Sequence, residues 1–472
     1  MTTRQTVPPA PGPLEDYAAS FDGLLAKANQ RQAFRQYLEG LLLPAERNKT
    51  LTALANTEPI VGAQSPQAQA LQWFLSESTW EPDAVNQRRL ELLTTDPLTA
   101  PNAAGVLVID EHGDRKRGTH TAHVGKQYLA NIGKVDTGVV SVTSLWADER
   151  VYYPLHLVPY TPAHHFARGK RDPQFRTKLQ RARELVDRAT QAQLPFRAVV
   201  ADSFYGEDEE LKRGLRERNL GYVLALKPSH SWWHQEDEVG ALWQVAEAAG
   251  WQDADHPGQW VRVERQFRDG HTETWWALEV RAGPYGPARV QRAVVVTTDP
   301  AALPDLRTWY LVTNLPAPGS IRAAAEGALP AADLAEIVRL YGLRNWVEQS
   351  YQQTRGALGW SQYQVRSDLA IRRHWQLVCC AFSFCWYHQS RAPGGSGGAT
   401  EGAEQPADAP SPVTEEEAGR KKNQRPTALP AAAVVAGGAA PGASVAGAVD
   451  HALALLARVV ERAPATGAPA AA

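Results

Sequence analysis

A chain of 472 residues is longer than one ordinary hydrophobic core can enclose, so two or three folded units are expected. Apolar residues make up 43% and charged residues 21%, a globular balance that excludes a wholly disordered or fibrous chain. The formal net charge of −2 excludes a global polycation, so any contact with nucleic acid has to be focused on one face.

Residues 1–13, MTTRQTVPPAPGP, are Pro-rich and lack an apolar signal core. They are expected to be disordered, and the protein to be cytoplasmic. Residues 14–100 read as helical. RQAFRQYLEGLLLP sets Phe34, Tyr37, Leu38, Leu41 and Leu42 at helical spacing, and SPQAQALQWFLSES offers a cap at Ser65 before Leu71, Phe74 and Leu75. AVNQRRLELL is a third helix. A small bundle is the plain reading of this region, and a DNA-binding helical domain is the functional one.

The pattern changes at about residue 101. GVLVID, GVVSVTSLWAD and YYPLHLVPY are strands, QFRTKLQRARELVDRATQA is a helix, FRAVVADS a buried strand, EDEELKRGLRER a helix and GYVLALKP a strand. Such alternation predicts an α/β unit over 101–227. Residues 228–300 hold seven tryptophans and short strand-like runs, WVRVERQF, TETWWALEVRA and ARVQRAVVVTTD, and predict a β-rich insertion. RTWYLVTNL reads as a last strand. Over 301–390, one long helix is expected from about Asp333 to Gly356 and another over Ser367–His388. The second carries all three cysteines, Cys379, Cys380 and Cys385, with no CxxC pair near a suitable His, which argues against a zinc site and a disulfide framework. Residues 391–472 collapse into Ala, Gly, Pro, Ser and Glu, a disordered-tail composition. One piece of that tail, ASVAGAVDHALALLARVVERA, has the pattern of a lone amphipathic helix. No run of about 18 apolar residues occurs, so no membrane partner is expected.

Two buried runs stop on an acid, GVLVID on Asp110 and RAVVAD on Asp202. Acids often end strands as turn or cap residues. Ligands in open α/β sheets, however, bind at the carboxyl ends of strands. If these strands are parallel neighbours, the two carboxylates meet there. They would then repel unless a hard cation such as Mg²⁺ sits between them.

The segment LYGLRNWVEQSYQQTRG places Tyr341, Arg344, Glu348 and Arg355 three, four and seven residues apart, all returning to one helix face. A solvated helix with an Arg344–Glu348 ion pair is one reading of this face, and a polar stripe turned inward to a site, where arginine suits phosphate, is the other. The set Tyr341-x2-Arg344-x3-Glu348-x6-Arg355 resembles the Y-R-E-K signature of DDE transposases from bacterial insertion sequences in the broad family numbered four. VLVIDEHGDRKRGTHTAHVGKQYLANIGKVD, VVADSFYG and YVLALKP are similar to the branch numbered 701. The resemblance covers about residues 30–390. Where the signature has lysine, this chain has Arg355.

The resemblance implies a ribonuclease-H-like core with Asp110, Asp202 and Glu348 as the catalytic, metal-holding acids, and Tyr341, Arg344 and Arg355 as DNA-binding residues. It further implies two Mg²⁺ ions, with Mn²⁺ able to substitute. The substrate would be double-stranded DNA, the element's terminal inverted repeats and a target, bound by a homodimer. Residues 14–100 would recognise the ends. Basic clusters at 115–117, 168–171, 176–188 and 372–373 are candidates for a DNA-facing surface. Trp232 and Trp233 are candidates for stacking on an unpaired base. Two rivals stand beside this reading. A degenerate transposase would bind DNA without cutting it. A small-molecule phosphohydrolase would use the strand-end Asp as nucleophile, often with a second acid two residues on, where this chain has His112.

Overall fold

The computed structural model describes residues 12–44, 47–58, 62–234, 238–267, 270–280, 291–304 and 307–389. The tail from 391 and nearly all of the Pro-rich start lie outside those residues, as do the expectations placed on them.

The N-terminal region folds into helices α1 (Leu14–Ala19), α2 (Ala28–Leu42), α3 (Leu51–Leu54), α4 (Pro66–Ser76) and α5 (Pro82–Thr95). Ser65 caps α4, its hydroxyl accepting from the Ala68 amide at 3.1 Å, with Pro66 in the first turn where its missing N–H costs nothing. Phe34, Tyr37, Leu38, Leu41, Leu71, Phe74 and Leu75 are all buried.

Strands β1 (Val106–Arg115), β2 (Gly125–Leu129), β3 (Lys134–Ala147) and β4 (Tyr152–Tyr160) come next. They are followed by α6 (Lys178–Gln191), β5 (Ala198–Ala201), α7 (Ser203–Gly206), α8 (Glu209–Glu217) and β6 (Tyr222–Ala225). β1, β3 and β4 pair antiparallel, while β5 runs parallel to β1 and β6 parallel to β5. The order β4-β3-β1-β5-β6 is ribonuclease-H-like. β2, which the sequence pattern did not reveal, pairs the amino-terminal end of β3.

The tryptophan-rich region carries the hairpin β7 (Ser231–His234) and β8 (Glu238–Ala241), helix α9 (Leu242–Glu247), and strands β9 (Val261–Gln266), β10 (Thr272–Val280) and β11 (Arg292–Thr297). β12 (Trp309–Thr313) pairs antiparallel with β6, and β11, β10 and β9 follow outward in turn. These strands therefore continue the central sheet. Trp232 is 3% exposed and has no free face for a base; the side chain of Trp233 lies outside the described residues.

Three helices close the fold: α10 (Leu334–Gly342), α11 (Asn345–Gly356) and α12 (Asp368–Gln389). α6 packs on β1, β3 and β4 on one face of the sheet, and α11 packs on β1 and β4 on the other. The alternation along β1 separates the two faces: Glu111 pairs with Lys178 of α6, while Asp110 turns toward α11. α12 is buried on nearly every side and packs against α1, α2, α4, α5, α11 and β4. It joins the N-terminal helices to the sheet. Its three cysteines are buried free thiols, and burial pushes Cys379 up to about 11 and Cys380 and Cys385 up to about 12. Among the described residues no helix is long and apolar enough to cross a membrane.

Candidate active site

Asp110 does not end its strand. β1 runs on to Arg115, and its polar half is buried too: His112 lies beneath Tyr351 of α11 and Trp360 after it, and Asp114 on the same face is buried beside it. His112 is accordingly a strand residue, 4.8 Å in ring separation from Tyr351 and 3.3 Å from Asp114 through Nε2. It is β5 that ends. The parallel register pairs Ile109 with Ala201, so Asp110 and Asp202 follow as neighbours on strands about 4.8 Å apart.

Asp202 caps the short helix α7, accepting from the Phe204 amide at 3.1 Å. The close packing of α7 on β6 requires Gly206, where a Cβ would fall 1.7 Å from the Ala225 carbonyl oxygen.

The long helix expected from Asp333 to Gly356 is broken. α10 stops at Gly342, and three-residue hydrogen bonds from Arg344 to Tyr341 (3.0 Å) and from Val347 to Arg344 (3.0 Å) lead into α11. No proline marks the break. The guanidinium of Arg265 in β9 donates to the Gly342 carbonyl at 3.3 Å, and a side chain at 342 would meet it at 2.8 Å. The four signature residues therefore do not share one continuous helix face. Glu348 lies in the first turn of α11, and Arg344 at the bend points to Asp110. Arg344 Nη2 is 2.8 Å from Asp110 Oδ2 and 3.8 Å from Glu348 Oε1.

Burial raises the Asp110 carboxyl well above its ordinary range. Arg344 opposes that rise, and the negative charges of Asp202 and Glu348 add to it. Asp202 and Glu348 thus both act on Asp110, a buried carboxylate whose neutralising partner is an arginine. Burial alone would lower Arg344, but Asp110, Asp202 and Glu348 outweigh it and raise it. Tyr341 is buried edge-on to Trp309 (5.0 Å) and is pushed up to about 12 by burial, with Asp202 and Asp110 adding to the rise. Arg355 stands apart. It is half-buried, about 10 Å farther along α11, and outside the Asp110–Arg344–Glu348 contacts.

Sequence reasoning missed Tyr351, whose hydroxyl is hydrogen-bonded to Thr143, the residue directly across from Asp110 on β3. Its position three residues after Glu348 was the available signal. It also missed Tyr205, wholly buried, whose hydroxyl feels Glu111, Asp110 and Asp202. Two basic clusters are partly structural. Arg373 is buried and donates to the carbonyls of Leu75, Ser78 and Trp80, and Lys116 donates to Ser361 and Tyr363.

Among the described residues no group of three His, Cys, Asp or Glu side chains is gathered closely enough to hold a metal. The donor chemistry nevertheless fits a hard divalent cation, with three carboxylates contributed by two adjoining strands and a facing helix and repelling one another at Asp110.

A ribonuclease-H-like sheet with paired acids where a parallel strand ends defines a class of nuclease, and the comparisons agree. Residues 20–282 match the family described as DDE superfamily endonuclease. The chain is 30% identical over 355 residues to a protein of Microchaete diplosiphon named "Probable transposase for insertion sequence element IS701", covering 75% of this chain and 81% of that one. The chain belongs to the DDE insertion-sequence transposases.

Proposed function

We propose that the chain cuts DNA at the ends of an insertion sequence and joins the freed 3′-hydroxyl to target DNA by two-metal-ion phosphoryl transfer. The observation that supports this best is the parallel register bringing Asp110 beside Asp202 while Arg344, paired to Asp110, draws in the helix of Glu348. Asp110, Asp202 and Glu348 hold the metal, Mg²⁺ or in its place Mn²⁺. When bound, the two ions would activate the attacking hydroxyl and stabilise the leaving oxygen. Arg344 and Tyr341 position the phosphate beside the acids, and Arg355 contacts the strand farther along; such contacts fix register without reading sequence. Residues 14–100 recognise the terminal repeats, 101–227 and 301–390 form the catalytic core around the insertion at 228–300, and a homodimer pairs two ends.

The test is a cutting assay on duplexes carrying the terminal inverted repeats, with Mg²⁺ or Mn²⁺. Asp110→Asn, Asp202→Asn and Glu348→Gln should each lower cutting by about three orders of magnitude or more, as loss of one member of a concerted group does, while end binding persists. A variant that cuts near normally removes its residue from the site. Sequence-specific end binding without cutting by the unaltered, folded chain would favour the second reading, a DNA-binding protein that has lost catalysis. The observation on that side is that Asp110 is occupied by Arg344.

A further inference from the structure

We propose that Arg344 is the resident cation of the free site: its guanidinium holds Asp110 and Glu348 until a DNA phosphate draws it away, and only then do the acids accept metal. This inference rests on the three-carboxylate reading above and adds to it an order of events.

One nitrogen carries the argument. Arg344 Nη2 is 2.8 Å from Asp110 Oδ2 and 3.8 Å from Glu348 Oε1, so a single positive atom lies between the strand acid and the helix acid. Asp110 keeps only 7% of its side chain exposed, and Arg344 15%. A buried carboxylate is not left without a counter-charge. The bend between α10 and α11 brings the guanidinium to this point, and Arg265 and the close approach at Gly342 support that bend from the sheet side.

The contact is incomplete in an instructive way. Arg344 Nε is buried and has no hydrogen-bond partner among the described residues, so the guanidinium does not form a two-pronged grip on Asp110. A phosphate oxygen pair offers the planar, bidentate partner that this fork lacks. Glu348 is 58% exposed and held by Arg344 only at 3.8 Å, so this acid can turn to a metal once Arg344 has left. The arrangement keeps an unloaded nuclease from gathering metal away from DNA.

The experiment measures Mn²⁺ binding to the full chain by the loss of free-ion electron paramagnetic resonance signal, without DNA. Arg344→Gln should bind Mn²⁺ at least about tenfold more tightly than the unaltered chain, the direction expected when a unit charge about 4 Å from the ion's place is removed. Arg344→Lys should stay within about threefold of the unaltered chain, because it keeps the charge. Adding a short duplex should tighten Mn²⁺ binding by the unaltered chain more than by Arg344→Gln. Arg344→Met is the second neutral variant if Arg344→Gln does not fold by circular dichroism.

If neutral, folded variants bind Mn²⁺ no better than the unaltered chain while DNA cutting still depends on Asp110, the proposal is overturned and the three-carboxylate reading stands. If Arg344→Gln gains Mn²⁺ affinity and adding Asp110→Asn does not remove the gain, the metal lies elsewhere and both fail.

Discussion

Asp110 and Glu348 carry the same charge in unlike surroundings, and that difference sets what their removal does. Asp110 is buried against Arg344, whereas Glu348 is 58% exposed and 3.8 Å from the same guanidinium. Asp110→Ala leaves a buried arginine without its close partner and should cost about 3 kcal/mol. Glu348→Gln removes one exposed end of a long ion pair and relieves repulsion on Asp110, so stability should change by less than about 0.5 kcal/mol. Urea denaturation of the two variants checks both values; equal losses would show that Arg344 does not depend on Asp110. At this scale the sequence disclosed chemistry better than aim. An acid after four buried aliphatics is conspicuous in GVLVID and RAVVAD. That Arg344 reaches back to Asp110 was not visible, because the direction of its side chain is set by a helix break that depends on Arg265, some eighty residues earlier.

Elements were legible where their own residues decide them. The apolar runs of β1, β5 and β6 and the capped, amphipathic α4 need no distant partner to be recognised. The continuation of β1 through His112–Gly113–Asp114 was hidden, because a polar run reads as a loop until α11 covers it. The attachment of α12 to the N-terminal helices was hidden likewise, since a helix buried on every side shows no stripe. That attachment has a titratable joint. His374 of α12 is buried; its Nε2–H donates to the Trp360 carbonyl at 3.1 Å, and its Nδ1 accepts from the Tyr37 hydroxyl of α2 at 2.8 Å. Burial, helped by the charge of Lys116, lowers His374 from 6.5 to about 4. A lowered folded value means that the unfolded chain takes up the proton first. The stabilisation is complete above pH 6.5 and is lost as pH falls toward about 4, on the order of 1–3 kcal/mol. Urea midpoints measured across that window should fall more steeply for the unaltered chain than for His374→Gln. Parallel curves would show that His374 does not couple pH to this joint.

The whole molecule depends on one sheet whose far half the sequence presented as an appendage. Antiparallel runs rich in tryptophan reveal that strands exist, but their partner is chosen by contacts far away in the chain, here β12 against β6 through Leu311–Ala225 and Val312–Leu224. The consequence can be tested by comparing two deletions. Removing residues 231–297 and bridging the gap with a short Gly-Ser linker strips β11 from β12. Tyr310, Leu311 and Val312, all buried, would then form a bare apolar edge strand, the kind that recruits other chains. α10 would also lose β9 and β10, on which it packs, and with β9 it would lose Arg265 at the bend that aims Arg344. Ending the chain after Arg391 removes none of the buried core of the described residues, which lies between Leu14 and Trp386. The truncated chain should melt within about 2 °C of the full one, a shift that corresponds to no more than about 1–2 kcal/mol in a unit of this length. The internal deletion should aggregate on expression or show no cooperative transition. Soluble, cooperatively folding protein from the internal deletion would mean that β6 can serve as a sheet edge and that the aim of Arg344 is set within α10 and α11 alone.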